Sequence, residues 1–462
     1  MSTDLSAVAV RPRPASRRLS QFGWLIAAVG GVGLFFESAS LSSGEPIPAL
    51  QAIQLAREGA QAAADNDPAT YLAKLQAAAA LRPDLPRILV NLAAAYVANR
   101  QNQEAISALE RLVALGVHSP IEKSPEFAAV RLLPEFQAVI RKLAANLYPK
   151  GSGEVAFSLR EVTGLIEGIA WRERTGEFYF GDVNDRAVWR RQTDGILKRL
   201  TPPGDGLLGV FGLALEETTG TLWAATSAVP AMRGFTPEQD GTAALAEIDL
   251  SSGAIRRTFP LERRAGDQQS HVLGDLALGA DGTVWLTDSG GPVIWRLPPG
   301  GAALEPFIES PEFTSLQGIV VRANGTLIVA DYPSGLLRID TANRNVRRIE
   351  TPPDTTLVGI DGLVAGPGGE LLALQNGTRP NRVLRIELDP NDEAVAAVTV
   401  LESGHLTMAA PSLGCIAADG ALVFIGNAGW TRFEDNGGAA SQPRSIPIFR
   451  TPLLTPKKPH KP

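Results

Sequence analysis

Glu167, Gln317 and Asp361 each stand directly before a glycine that leads into an apolar run, and Phe211, Gly274-Asp275 and Leu413 hold the same place in three further copies of the pattern. Each run turns at a glycine and returns as a second apolar run followed by polar residues: Asp182 and Asn184, Asp288 and Ser289, Asp331 and Tyr332, Gln375 and Asn376, Asn427. Carboxylates and amide oxygens gathered from several segments are the donors that a hard cation such as Ca²⁺ takes, about six to eight at a time. Carboxylates that face each other repel unless an ion or a proton lies between them. The chemistry open to this set is cation binding or acid–base work, against the plainer reading of a polar, water-filled channel.

Such residues meet only if the copies form a ring. The stretch "SLQGIVVRANGTLIVADYPSG" (315–335) and its five relatives align at Gly168, Gly212, Asp275, Gly318, Gly362 and Gly414, spaced 44, 63, 43, 44 and 52 residues. A period near 44 with about four strands per repeat is that of a β-propeller blade. Runs such as "AVWRRQ", "VIWRLP" and "RVLRIEL" supply third strands. The reading is therefore a mainly β, six-bladed propeller over 151–454, with "SIPIFRTPL" pairing with the first or last blade to close it. Strands alternate direction within a blade, so the residue before each glycine and the loop after each second strand share one mouth of the channel.

Ahead of the propeller, residues 41–150 are rich in alanine and leucine at helical spacing. "NLAAAYVANRQNQEAISALERLVALG" resembles a tetratricopeptide repeat, with Leu92, Ala93, Tyr96, Ala105 and Leu109 at its packing positions. Such a segment offers a small groove for a peptide, a neighbouring domain or a partner protein, or only props the propeller away from a membrane. Residues 1–40 place Arg11, Arg13, Arg17 and Arg18 before an uncharged run (19–36) and a small-residue "SAS". They read as an export signal or a signal anchor, which puts the body in the periplasm or tethers it outside the cytoplasm. The whole chain carries a net charge of −6, and an acidic body argues against nucleic acid as a partner. Residues 455–462 read as a basic tail. A single cysteine, Cys415, excludes an internal disulfide, and its place inside a strand suits a small core residue.

The long interval before Asp275 holds two insertions, "SAVPAMRGFTPEQDGTAA" and "ERRAGDQQSHVLG". Both fall on the mouth side and are expected to overhang it as a lid, removable at 229–240 with little effect on stability. His271, in the second insertion, is the histidine best placed for acid–base catalysis. Trp430, in "GNAGWTRFEDNG", is placed to reach the mouth and stack on a ligand. Trp171, Trp223, Trp285 and Trp295 lie on strands and are expected to pack between blades.

The motifs "EGIAW" (167–171), "GDVNDRAVWR" (181–190), "DLALGADGTVWLTD" (275–288), "QGIVV" (317–321) and "DGLVA" (361–365) resemble the senescence marker protein, gluconolactonase and luciferin-regenerating enzyme family over about 154–452. The resemblance implies a lactonase with one divalent cation, Ca²⁺ first and Zn²⁺, Mg²⁺ or Mn²⁺ as alternatives. It implies Glu167, Gln317 and Asp361 as metal ligands, Asp275 as a fourth, and Asp361 as general base. Asp275, Phe211 and Trp430 become candidate substrate contacts. Gln317 stands where the family has asparagine, and Gly274 replaces a second asparagine. Without a metal, apolar neighbours Phe211 and Leu413 would raise the pKa of Glu167 and make it an acid–base group, as in strictosidine-synthase-like relatives. The leading expectation is a metal-dependent hydrolase opening a lactone or small ester. The rival is a non-catalytic propeller that binds a small molecule or peptide, with the helical repeats recruiting a protein.

Overall fold

The residue before each repeat's glycine is a point of irregularity in the strand it belongs to, and that irregularity shapes the channel. In five repeats the inner strand slips register against its neighbour at this place: between Ile166 and Gly168, Val210 and Leu213, Leu273 and Asp275, Leu316 and Ile319, and Ile360 and Gly362. A bulge leaves one or two residues out of the ladder and re-aims their side chains. Glu167, Phe211, Gln317 and Asp361 are among the residues so released.

The computed structural model describes residues 48–160, 162, 164–262, 269–430, 433 and 445–453. The segment 1–40, on which the export reading falls, and the tail 455–462 lie outside the described residues. Among the described residues no helix is long and apolar enough to cross a membrane.

Six four-stranded antiparallel sheets form a six-bladed propeller. Their inner strands are Ile166–Arg172, Gly209–Glu216, Leu273–Leu278, Leu316–Val321, Ile360–Ala365 and Gly414–Ile416. The last blade is composite: Gly414–Ile416, Leu422–Ile425 and Ile446–Thr451 are completed on the outside by Glu154–Leu159 from ahead of the first blade. "SIPIFRTPL" is therefore the third strand of the closing blade, and the N-terminal strand seals the ring.

Adjacent inner strands press together where the repeated glycines lie. A Cβ on Gly212 would stand 2.8 Å from the Asp275 Cα, and one on Gly362 would run into the Ser412 carbonyl oxygen. The glycine recurs because the neighbouring blade's backbone occupies the side-chain space. Apolar cores lie between blades: Trp223 and Phe259 of the second blade pack with Leu286 and Trp295 of the third, and Trp285 with Ile319 and Val329 of the fourth.

Among the described residues five α-helices precede the propeller: α1 (Pro48–Ala64), α2 (Pro68–Leu81), α3 (Pro86–Ala98), α4 (Asn102–Ala114) and α5 (Pro134–Ala145). Proline opens α2, α3 and α5, where a missing N–H costs no helical bond. Leu92, Ala93, Ala105 and Leu109 are buried in the helical core, and Tyr96 packs against it half-buried.

The helical segment sits on the propeller rather than apart from it. Val358, in the loop leading into the fifth blade, packs against the helical core. Arg382 donates to the Leu115 carbonyl (3.0 Å). Arg82 pairs with Asp84 through two bonds of 2.8 Å and donates to the Ser334 carbonyl, while Arg348 reaches Asp84 at 2.9 Å. Burial works against the Asp84 charge, but the two guanidiniums outweigh it and hold the carboxyl below its usual range. Ser334 follows a second strand and Val358 precedes an inner strand, so the helices lie on the face where the channel's side chains open.

Candidate functional site

The bulges bring together side chains from five blades. Glu167, Asp275, Gln317 and Asp361 line one cavity of about 30 Å³, with Ser289 and Gly274 beside them and Phe211, Val272, Leu413 and Trp430 on its apolar side. All six ring positions read from the sequence border this space. At the third blade the pattern is inverted: Gly274 takes the ring place, where a Cβ would stand 2.6 Å from Ser289 Oγ, and Asp275 follows it. Asp275 lies between blades, its Oδ2 accepting from the Ile319 N–H at 3.3 Å.

The carboxylates differ in their partners. The Trp430 indole N–H donates to Glu167 Oε1. Asn376 Nδ2 donates to Asp361 Oδ2 at 2.6 Å and to the Pro411 carbonyl at 3.0 Å, while Asn376 Oδ1 accepts from the Tyr332 hydroxyl at 2.8 Å. Both ends of Asn376 are committed, so its amide faces Asp361 in one orientation. Burial, and then the charge of Asp361, push Glu167 well above the usual carboxylate range against the donors Trp430 and Ser412. Burial lifts Asp361 to about 6, with Asn376 opposing, and lifts Asp275 to about 7.

Asp275 makes a testable link to stability. The native carboxyl keeps its proton to about pH 7, whereas an unfolded aspartate releases it near 4. Between those values the native state binds the extra proton, so this contribution is full below about pH 4 and is lost as pH rises to 7. Asp275→Asn keeps an acceptor for Ile319 and cannot titrate. Its melting temperature is expected to fall less than the wild type's between pH 4.5 and 7.5, as thermal melts at both values will read.

Several residues expected at the mouth do other work. Asp182 accepts from the Asp185 N–H (2.8 Å) and Trp189 Nε1 (3.1 Å). Asp288 accepts from the N–H groups of Val272 and Gly291 and from Trp295 Nε1 (3.2 Å). Asp331 takes the N–H groups of Thr314 and Ser315. Gln375 accepts from Arg382 and donates to the Val358 carbonyl. These buried groups tie the strand-end loops together; they do not line the cavity. The spacing of seven from Asp182 to Trp189, from Asp288 to Trp295 and from Gln375 to Arg382 is the sequence signal that marks them.

His271 has a different setting from the four acids and amides of the cavity. It is buried with Nδ1 2.5 Å from Asp288 Oδ2 and its ring edge-on to Trp295, so it braces the third blade and does not border the cavity. Cys415 lies within the closing blade's inner strand, and burial pushes its thiol far above the usual range.

The first insertion packs against residues that line the cavity. Ala228, Val229, Ala231 and Met232 are buried with Phe211, Val272 and Trp430 in one apolar cluster. This part of the lid is also core, so removing it would cost stability, contrary to the expectation for 229–240. Residues 263–268 of the second insertion lie outside the described residues.

Among the described residues, no three His, Cys, Asp or Glu side chains stand as a ready-made metal cage. The donor types around the cavity nonetheless suit a hard cation: three carboxylates, the Gln317 amide oxygen and the Ser289 hydroxyl. The repulsion between Asp361 and Glu167 is one that a cation would relieve.

No family model and no curated protein matches the chain. It is similar to solved structures: a gluconolactonase from Xanthomonas campestris (18% identity, TM-score 0.44, 64% of this chain and 89% of that one), a luciferin-regenerating enzyme (16%, 0.47, 66% and 96%) and a calcium-binding protein, regucalcin, from Agrobacterium tumefaciens (14%, 0.44, 64% and 93%).

Proposed function

We propose that the protein is a hydrolase of the gluconolactonase type, opening a lactone or small ester in the propeller channel with the help of a divalent cation. The observation that carries this reading is the convergence of Glu167, Asp275, Gln317 and Asp361, from four blades, on a cavity whose lining has no lysine, arginine or histidine. Glu167, Gln317 and Asp361 would hold the cation, with Asp275 as a fourth donor; the all-oxygen set favours Ca²⁺ over Zn²⁺, Mg²⁺ or Mn²⁺. When bound, the cation supplies polarisation of a carbonyl and a more acidic water.

The chain's own residues supply the rest. Asp361 takes a proton from the attacking water through the oxygen that Asn376 does not occupy. Tyr332 and the Pro411 carbonyl fix Asn376, and through it the direction of that carboxylate. Asp275, Phe211 and Trp430 contact the substrate. We place the protein outside the cytoplasm on the strength of residues 1–40.

The test is metal content and lactone hydrolysis on the purified chain, beside Glu167→Ala and Asp361→Ala. One divalent ion per chain, lost in both variants together with turnover, is the expected result. A wild type that holds no ion and opens no lactone overturns the proposal.

A further inference from the structure

We infer that the ligand of this site is an uncharged lactone or ester with an apolar body, rather than a polyhydroxylated or carboxylated one; the inference rests on the hydrolase reading for the reacting group and on the cavity's walls for the rest. A cavity of about 30 Å³ has room for one or two water molecules and for no organic ring. A ligand must therefore part surfaces that now touch, and the surfaces it parts become its walls.

On the apolar side those surfaces are the rings of Phe211 and Trp430, whose centroids lie 6.2 Å apart with planes inclined by 30°. They belong to the cluster that includes Val229 and Met232 of the insertion, and Leu413 borders the same space. A ligand entering between the rings would take Trp430 away from Glu167, so its polar end meets the Glu167 carboxyl while its body meets Phe211 and Leu413. Hydroxyls on that body would lose their water without gaining a partner. Aliphatic or aromatic surface would lose nothing and would gain burial.

Charge points the same way. The lining holds three acids and no base. A carboxylate on the ligand would sit among three acids with no lysine, arginine or histidine beside it, so a sugar acid would have only the proposed cation, already shared with those acids, to balance it.

The experiment compares δ-nonalactone with glucono-1,5-lactone as substrates of the full chain, and the lactams of the same two frameworks as ligands that cannot be opened. Binding of the lactams is read by saturation-transfer NMR. The expected result is a kcat/KM at least tenfold higher for δ-nonalactone, tighter binding of the alkyl lactam, and a roughly tenfold rise in KM for δ-nonalactone in Phe211→Ser. Leu413→Asn provides a second variant should Phe211→Ser not fold. If the alkyl lactam binds preferentially but neither lactone is opened, the ligand class stands and the hydrolase reading falls. If the sugar lactam binds as well as the alkyl lactam, if neither binds, or if glucono-1,5-lactone is opened at least as fast, the inference is overturned.

Discussion

Asp361→Asn is expected to lower lactone turnover by about 10² to 10⁴-fold while leaving the melting temperature within a few degrees of the wild type. A positioned general base contributes on that scale. The substitution keeps the shape of the side chain and an oxygen for Asn376 Nδ2, so the Tyr332–Asn376 anchor has no reason to move. What disappears is the group that takes the proton. Burial lifts the carboxyl to about 6 before any cation is bound, and the wild-type rate should fall as pH drops and the base becomes protonated, at a lower pH when the cation is in place. Initial rates in a pH-stat between pH 5 and 8, with thermal melts alongside, check both parts. A variant that keeps its turnover would remove Asp361 from the reaction.

The second large effect concerns the joint between the helices and the propeller. Asp84→Ala leaves the guanidiniums of Arg82 and Arg348 without their shared carboxylate, and Arg82 is only 1% exposed. Breaking a buried pair from one side typically costs about 3–5 kcal/mol, most of it for the stranded charge. The expected outcome in urea is an earlier transition for the helical segment, followed by helical circular dichroism, with the propeller's transition nearly unmoved. Arg82→Met combined with Asp84→Leu removes both charges and should recover part of the loss. If the single variant melts like the wild type, the contact does not hold the two parts together.

The propeller and its ring of side chains were legible in the sequence because the cause is local and repeated. A neighbouring blade's backbone forbids a side chain at Gly168, Gly212, Gly318 and Gly362, so the glycine returns in four of the six blades for one reason and marks the residue before it. The strand-end residues were misplaced because the alternation of strands gives only the face on which a loop lies. Whether Asp288 points into the channel or back into its own loop depends on donors such as Trp295 Nε1, seven residues on. The contact of His271 with Asp288 was hidden for the same reason: a loop histidine has no pattern that reveals an aspartate 17 residues away. A neighbouring domain was one of the partners the helical segment allowed, but the contacts that dock it were not legible. The docking rests on Asp84 with Arg348 and on Leu115 with Arg382, pairs more than 260 residues apart with no local signature.

The composite closing blade has a consequence for how the molecule is made. Glu154–Leu159 leaves the ribosome before any blade exists, yet its partner Ile446–Thr451 follows five whole blades. Throughout translation of five blades that early strand has an unpaired edge, the kind of surface that invites pairing with another chain. Contacts of such long sequence separation also form slowly. The circle thus closes late: a nascent chain can stack its blades in order, but the channel acquires its final circumference only when the two ends of the propeller find each other.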